Sequence, residues 1–146
     1  MKFLLILLLS MGSFMAGSMP VKEDPVSFAV LESFNNSFRQ AEEVSWSVGK
    51  DYYRAQFLLN CQHVFAFYAK DGAHIATTRN MLFTELPVIL QTSLNELQNG
   101  YWISDLFELS NTEGTHYYIT LENADNKLIL RSSKTDWELY QKKVKP

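Results

Sequence analysis

The sequence predicts an α+β fold: two tandem units, each one helix packed on an antiparallel sheet of about four strands. Three observations lead there. Two stretches carry apolar residues at helical steps. Each is followed by four short runs that alternate like strands and are separated by turn residues. The two halves also superpose in sequence. Leu31, Phe34, Phe38, Val44 and Trp46 map at one constant offset onto Leu94, Leu97, Tyr101, Phe107 and Leu109. At an offset one residue longer, Tyr53, Ala55, Phe57, Val64, Ala66 and Ile75 map onto Tyr117, Ile119, Leu121, Leu128, Leu130 and Leu139. Two such units are too few for a solenoid and read as halves of one domain, about 25–80 and 81–146.

The chain opens with Met1-Lys2 and the apolar run Phe3 to Leu9, and Ala16-Gly17-Ser18 follows. A short charged start, an apolar stretch and small residues at a cleavage site describe a secretory signal peptide over 1–18. Ser10, Gly12 and Ser13 interrupt the run, so it falls short of the roughly 20 continuous apolar residues of a membrane span. The expectation is a periplasmic or secreted protein with no stable membrane span after cleavage, and residues 19–24 as a linker.

From there the elements follow in order. Asp24-Pro25 suits a helix start, and Phe28, Leu31, Phe34 and Phe38 form its apolar stripe, ending near Gln40. Glu42-Glu43 reads as a solvated helix end. Strands are expected at Val44–Val48, Tyr52–Leu59, Gln62–Ala69 and His74–Arg79. Asn60-Cys61 is a tight turn and Asp71-Gly72 a hairpin turn that sets Ala69 opposite His74. Thr84 caps a second helix with Pro87 in its first turn. Leu90, Leu94, Leu97 and Tyr101 form its stripe, and Asn99-Gly100 ends it. Trp102–Ser110, Thr115–Glu122, Lys127–Ser132 and Trp137–Gln141 complete the strands, and Lys142-Lys143-Val144-Lys145 reads as a solvated tail.

In this order the motifs resemble the PepSY-like family of exported bacterial proteins, also described as β-lactamase-inhibitor-like. The residues are Val44-Ser45-Trp46, Tyr53-Arg54-Ala55-Gln56-Phe57, Leu59-Asn60, Phe67-Tyr68-Ala69-Lys70-Asp71-Gly72 and Leu86-Pro87-Val88. Cys61 stands where that pattern has a turn glycine, and no glycine follows Asp136 in the second half. The resemblance implies a β-lactamase-inhibitor-like fold, export and no enzymatic activity. It implies no catalytic residues and no inhibited target.

Composition narrows the function. A net charge of −3 argues against nucleic acid as partner, because a phosphate backbone calls for a basic face. A single cysteine, Cys61, cannot form an internal disulfide. His63 and His74 lie far apart along the ladder of one expected hairpin and His116 in the other unit, so no nucleophile, base and orienting group come together, and no metal-ligand spacing occurs. The expectation is no catalytic site, no metal and no cofactor.

The strand faces are more informative. Tyr53, Ala55, Phe57, Val64, Ala66 and Tyr68 share one side and face the helix, with Tyr117, Ile119, Leu121, Leu128 and Leu130 as counterparts. The other side should be polar and is not. It carries Phe65, Phe67, Tyr118 and Ile129 beside Arg54 and Gln56. Those six are the candidate binding residues, with Arg54 and Gln56 as a polar rim across from Phe67 and Phe65. Either they form an interaction surface, or a loop, the other unit or a second copy of the chain covers them. Two functions follow: an exported module, binding or inhibitory, that holds an envelope protein or peptide on this face, or a carrier of a small apolar ligand between sheet and helices. Neither the partner nor the oligomeric state can be read from the sequence.

Overall fold

The computed structural model describes residues 26–146. The expected signal peptide with its Ala16-Gly17-Ser18 site, the expected linker and the expected Asp24-Pro25 helix start lie outside the described residues. In chain order the elements are α1 (Phe28–Ser37), β1 (Glu42–Val48), β2 (Tyr52–Leu59), β3 (Gln62–Ala69), β4 (His74–Asn80), a 3₁₀ turn (Phe83–Glu85), α2 (Val88–Leu97), β5 (Trp102–Asn111), β6 (Gly114–Glu122), β7 (Asn126–Ser132) and β8 (Trp137–Val144).

The expectation of two tandem helix-on-four-strand units is overturned. The strands form one continuous eight-stranded antiparallel sheet in the order β1 to β8. The junction is the β4–β5 pair, where Thr77, Thr78, Arg79 and Asn80 face Ser110, Leu109, Glu108 and Phe107. Met81 N–H extends this ladder to Leu106 O at 3.1 Å. Arg79 braces it with 3.2 Å ion pairs to Glu108 beside it and to Glu85 of the 3₁₀ turn. The physical reason is the cost of a free edge. β4 and β5 would each expose a row of unpaired N–H and C=O groups, and pairing them satisfies both. Nothing in the period of either strand reveals that, because α2 separates them in sequence.

Both helices cover the same face of this sheet. Under α1, Val30 and Phe34 bury against Tyr53, Ala55, Phe57, Val64, Ala66 and Tyr68. Phe34 meets Trp46 and Phe57 edge-on at 5.2 and 5.1 Å. Under α2, Leu90 and Leu94 bury against Leu106, Ile119, Leu121, Leu130 and Trp137. Trp137 Nε1–H donates to Leu90 O at 2.9 Å and ties β8 to the helix. Tyr68 is fully buried, which pushes its hydroxyl pKa up to about 12, and that hydroxyl has no hydrogen-bond partner.

Local chemistry accounts for the turns. Asn60 and Cys61 both take left-handed φ, 51° and 63°, so a cysteine occupies a site where glycine costs less. Gly72 has φ 96°, and a Cβ there would stand 3.0 Å from the Ala29 carbonyl, so this turn seats α1 closely.

Several expected boundaries move. α1 starts at a Ser27 cap whose Oγ accepts from Val30 N–H at 3.4 Å, and Phe28 is exposed rather than part of the stripe. Val30 takes its place. Glu42 and Glu43 belong to β1, where Glu43 sits in a bulge at φ 51°. Thr84 lies in the 3₁₀ turn and Pro87 is the residue before α2. A bulge in β3–β4 sets Tyr68, not Ala69, opposite His74. The basic tail is no solvated terminus. β8 runs through it, and Lys145 binds Glu122 at 2.8 Å and Asn123 O at 2.8 Å while lying over Trp102.

Candidate functional site: the face without helices

The face opposite the helices is built by strand registry. One row across it reads Ser47, Arg54, Phe67, Ala76, and the next reads Ser45, Gln56, Phe65, Thr78, Leu109, His116. A third runs Asn80, Phe107, Tyr118, Arg131, Glu138, and a fourth holds Asp105, Thr120, Ile129 and Gln141. All six candidate residues lie on this face. Arg54 opposes Phe67 and Gln56 opposes Phe65, the expected register.

Their exposure differs from the expectation. Phe67, Tyr118 and Ile129 are buried, at 5%, 1% and 3% of their surface, while Arg54, Gln56 and Phe65 are half-buried. The buried ones belong to a cluster that this face makes for itself. Ala76, Leu109, Tyr118 and Ile129 pack together with Ile75, Phe107 and Tyr140 around them. Phe107 stacks on Tyr118 at 5.3 Å and 11°, and Tyr140 meets the same ring edge-on at 5.5 Å. Phe67 lies against Tyr52 at 6.0 Å. Aromatic neighbours on adjacent strands are close enough to shield smaller residues between them. Phe67, Tyr118 and Ile129 are therefore floor, not rim.

What remains accessible is polar and carries both signs: Arg54 and Arg131, and the exposed carboxylates of Asp105 and Glu138. Arg54 Nε–H donates to Ser47 Oγ at 3.1 Å, and its guanidinium lies 5.4 Å from the Phe65 ring centre. Arg131 donates through Nη2 to His116 Nε2 at 2.9 Å, so that nitrogen accepts. The other ring nitrogen, Nδ1, then carries the proton and donates to Ser132 O at 3.4 Å. Arg131 Nε is buried without a partner. Among the described residues neither arginine forms an ion pair with a carboxylate. Burial pushes the Tyr118 hydroxyl up to about 12 and raises Tyr140 as well, so both stay neutral donors.

Sequence reasoning missed Ala76, Phe107, Leu109 and Tyr140. Phe107 and Leu109 face Asn80 and Thr78 only because β4 and β5 pair. Tyr140 reaches Tyr118 across the bulge in β8 where Ile129 opposes Gln141. The adjacent apolar pair Leu106-Phe107 was the available signal, since neighbours in a strand point to opposite faces.

Among the described residues no chemistry-bearing cluster assembles elsewhere. His74 pairs with Thr77 at 2.8 Å, and Cys61 is exposed at the β2–β3 turn. Among the described residues no three His, Cys, Asp or Glu side chains converge as metal ligands. No helix there is long and apolar enough to cross a membrane. An open groove of about 650 Å³ lies between α2 and the β7–β8 turn, lined by Val88, Ile89, Ser93 and Asp136 among others. It is outside the helix–sheet layer.

The eight-stranded sheet with two helices on one face defines a BLIP-like fold. A BLIP-like protein from Bacteroides fragilis matches at TM-score 0.73 and 20% identity, over 84% of this chain and 89% of its own. A DUF2874 family protein from Bacteroides ovatus matches at 0.73 and 16%, over 83% and 89%. A candidate periplasmic protein from Bacteroides eggerthii matches at 0.72 and 13%, over 83% and 90%. No protein-family model matches the sequence, and no curated protein does either. The β-lactamase-inhibitor-like half of the resemblance thus holds for the fold, whereas the PepSY name is carried by none of these structures.

Proposed function

We propose that the protein is an exported, non-catalytic binding module that holds a protein or peptide on the sheet face without helices. The observation that carries this reading is the pair of arginines, Arg54 and Arg131, which form no ion pair among the described residues and stand on a floor of packed aromatic residues. Arginine and tyrosine on an apolar floor are the residues that dominate binding energy at protein interfaces. A guanidinium with free donors is ready for a carboxylate or a backbone carbonyl from a partner. The BLIP-like fold of the neighbours and the periplasmic description of one agree with export and binding. The carrier reading has no comparable support, because apolar side chains fill the space between helices and sheet.

The test uses the two accessible cations, which leave the floor intact. Immobilised protein is exposed to envelope extract, and captured species are compared between wild type and the Arg54→Ala, Arg131→Ala double variant. Capture should fall by tenfold or more with an unchanged far-UV spectrum. Equal capture by both proteins refutes the sheet-face reading.

A further inference from the structure

The sheet is open, and β8 is one of its two edges. Its pairing with β7 settles which backbone groups are free. Ser133 N–H donates to Asp136 O, and Lys145 N–H donates to Asp125 O, both at 2.8 Å. Alternation between these two bonds, with the bulge at Tyr140 and Gln141, turns the N–H and C=O of Leu139, Lys142 and Val144 and the C=O of Trp137 outward, while Trp137 N–H donates to Asp136 Oδ1 at 2.8 Å. Among the described residues no strand pairs with them.

We propose that a second copy of this chain pairs with β8 antiparallel, about a two-fold axis perpendicular to the sheet and passing between Tyr140 and Gln141. In that register Trp137 faces Val144 of the second copy, Glu138 faces Lys143, Leu139 faces Lys142 and Tyr140 faces Gln141. The bulge makes this register singular. Trp137, Leu139 and Lys142 lie on the helix side, opposite Ser132, Leu130 and Leu128; Glu138, Gln141 and Lys143 lie on the other side, opposite Arg131, Ile129 and Lys127. Only this alignment keeps helix-side residues against helix-side residues along all of β8. Every neighbouring alignment breaks the match at the bulge. The four outward-facing residues then meet each other, as an antiparallel ladder requires.

The side chains agree with the backbone. Glu138 and Lys143 are both exposed and complete two reciprocal ion pairs across the axis. Leu139 and Val144, 60% and 75% exposed, become diagonal neighbours and shield each other. The other edge lacks this fit. β1 places a bulge at Glu43 beside Glu42, and β1 set against β8 keeps matching faces only from Ser45 to Val48 before the bulge of β8 interrupts. An isologous pair closes on itself, whereas edge-to-edge stacking of β8 on β1 would not. The dimer sets two bare faces side by side on one surface, whatever each of them binds.

Sedimentation equilibrium of the exported chain tests this, in a Cys61→Ser background that removes the exposed thiol. A concentration-dependent dimer is expected. Glu138→Lys and Lys143→Glu should each weaken it roughly tenfold, since two reciprocal pairs turn repulsive. The double swap Glu138→Lys, Lys143→Glu should restore it, a recovery that general destabilisation cannot mimic. Val44→Lys on β1 should leave it unchanged. Should Glu138→Lys unfold beside Arg131, Lys143→Glu and a Leu139→Cys, Lys142→Cys intermolecular disulfide test the same register. A monomer at every concentration overturns the proposal. So does a dimer that ignores the charge reversals, one that the swap fails to restore, or one that Val44→Lys breaks.

Discussion

The two faces of the sheet bury apolar surface by different means. On one, helices bring the cover: Phe34 and Leu94 drop onto small and branched residues, and Ala55, Ala66 and Ile119 reach full burial beneath them. On the other, no helix arrives, yet Ala76, Leu109 and Tyr118 are each only 1% exposed. There Phe107 and Tyr140 flank Tyr118 from adjacent strands. The difference teaches that an alternating strand with two apolar faces need not leave one of them wet. It also divides the bare face into a packed floor and an accessible polar rim.

That contrast can be broken in steps. The largest effects belong to the helix face. Leu94→Ala and Phe57→Ala each empty a fully buried site and should cost about 2–5 kcal/mol of unfolding free energy, read from urea titrations. A loss of a few tenths would mean that the helices cover the other face.

The bare face should split. Tyr118→Ala removes the ring on which Phe107 and Tyr140 pack, and a cost of about 3 kcal/mol is expected by the same titration. Phe65→Ser removes a half-buried ring and should stay within about 1 kcal/mol. If both cost the same, floor and rim are one layer.

The smallest effect is electrostatic and lies at the end of β8. The Lys145 ammonium, then Ser104 and Lys127, holds the Glu122 carboxylate down at about 2, below its usual 4.5. A depressed acid stabilises the fold at pH values above 4.5, and that contribution disappears as pH falls towards 2. Lys145→Met should therefore lower the urea midpoint slightly at neutral pH, and the gap to wild type should close between pH 4.5 and 2. A gap that is constant with pH would make Lys145 a packing residue over Trp102 instead.

Local signals made much of this molecule legible. Eight strands and two helices stand close to where period and turn residues place them, and Asn60-Cys61 turns as tightly as its sequence requires. The register of Arg54 against Phe67 follows from that turn alone, because a two-residue loop leaves no freedom to slip. Phe28 was misread because its step fits the stripe while Ser27, one residue before it, caps the helix and directs Val30 inward instead. The Lys142 to Lys145 tail was misread because composition alone cannot show that Glu122 and Asn123 wait beside it.

By itself the sequence determined the order of elements and the helix-facing side of β2, β3, β6 and β7, since both depend on residues within a few positions of one another. Only the tertiary structure decided that β4 pairs with β5, that one sheet replaces two units, and that Tyr118 and Phe67 are floor while Arg54 and Arg131 stay half-exposed with no ion pair among the described residues. Each of these depends on backbone groups and rings that meet across a helix or several strands. Alternation along one strand states which way a side chain points, but not what stands opposite it.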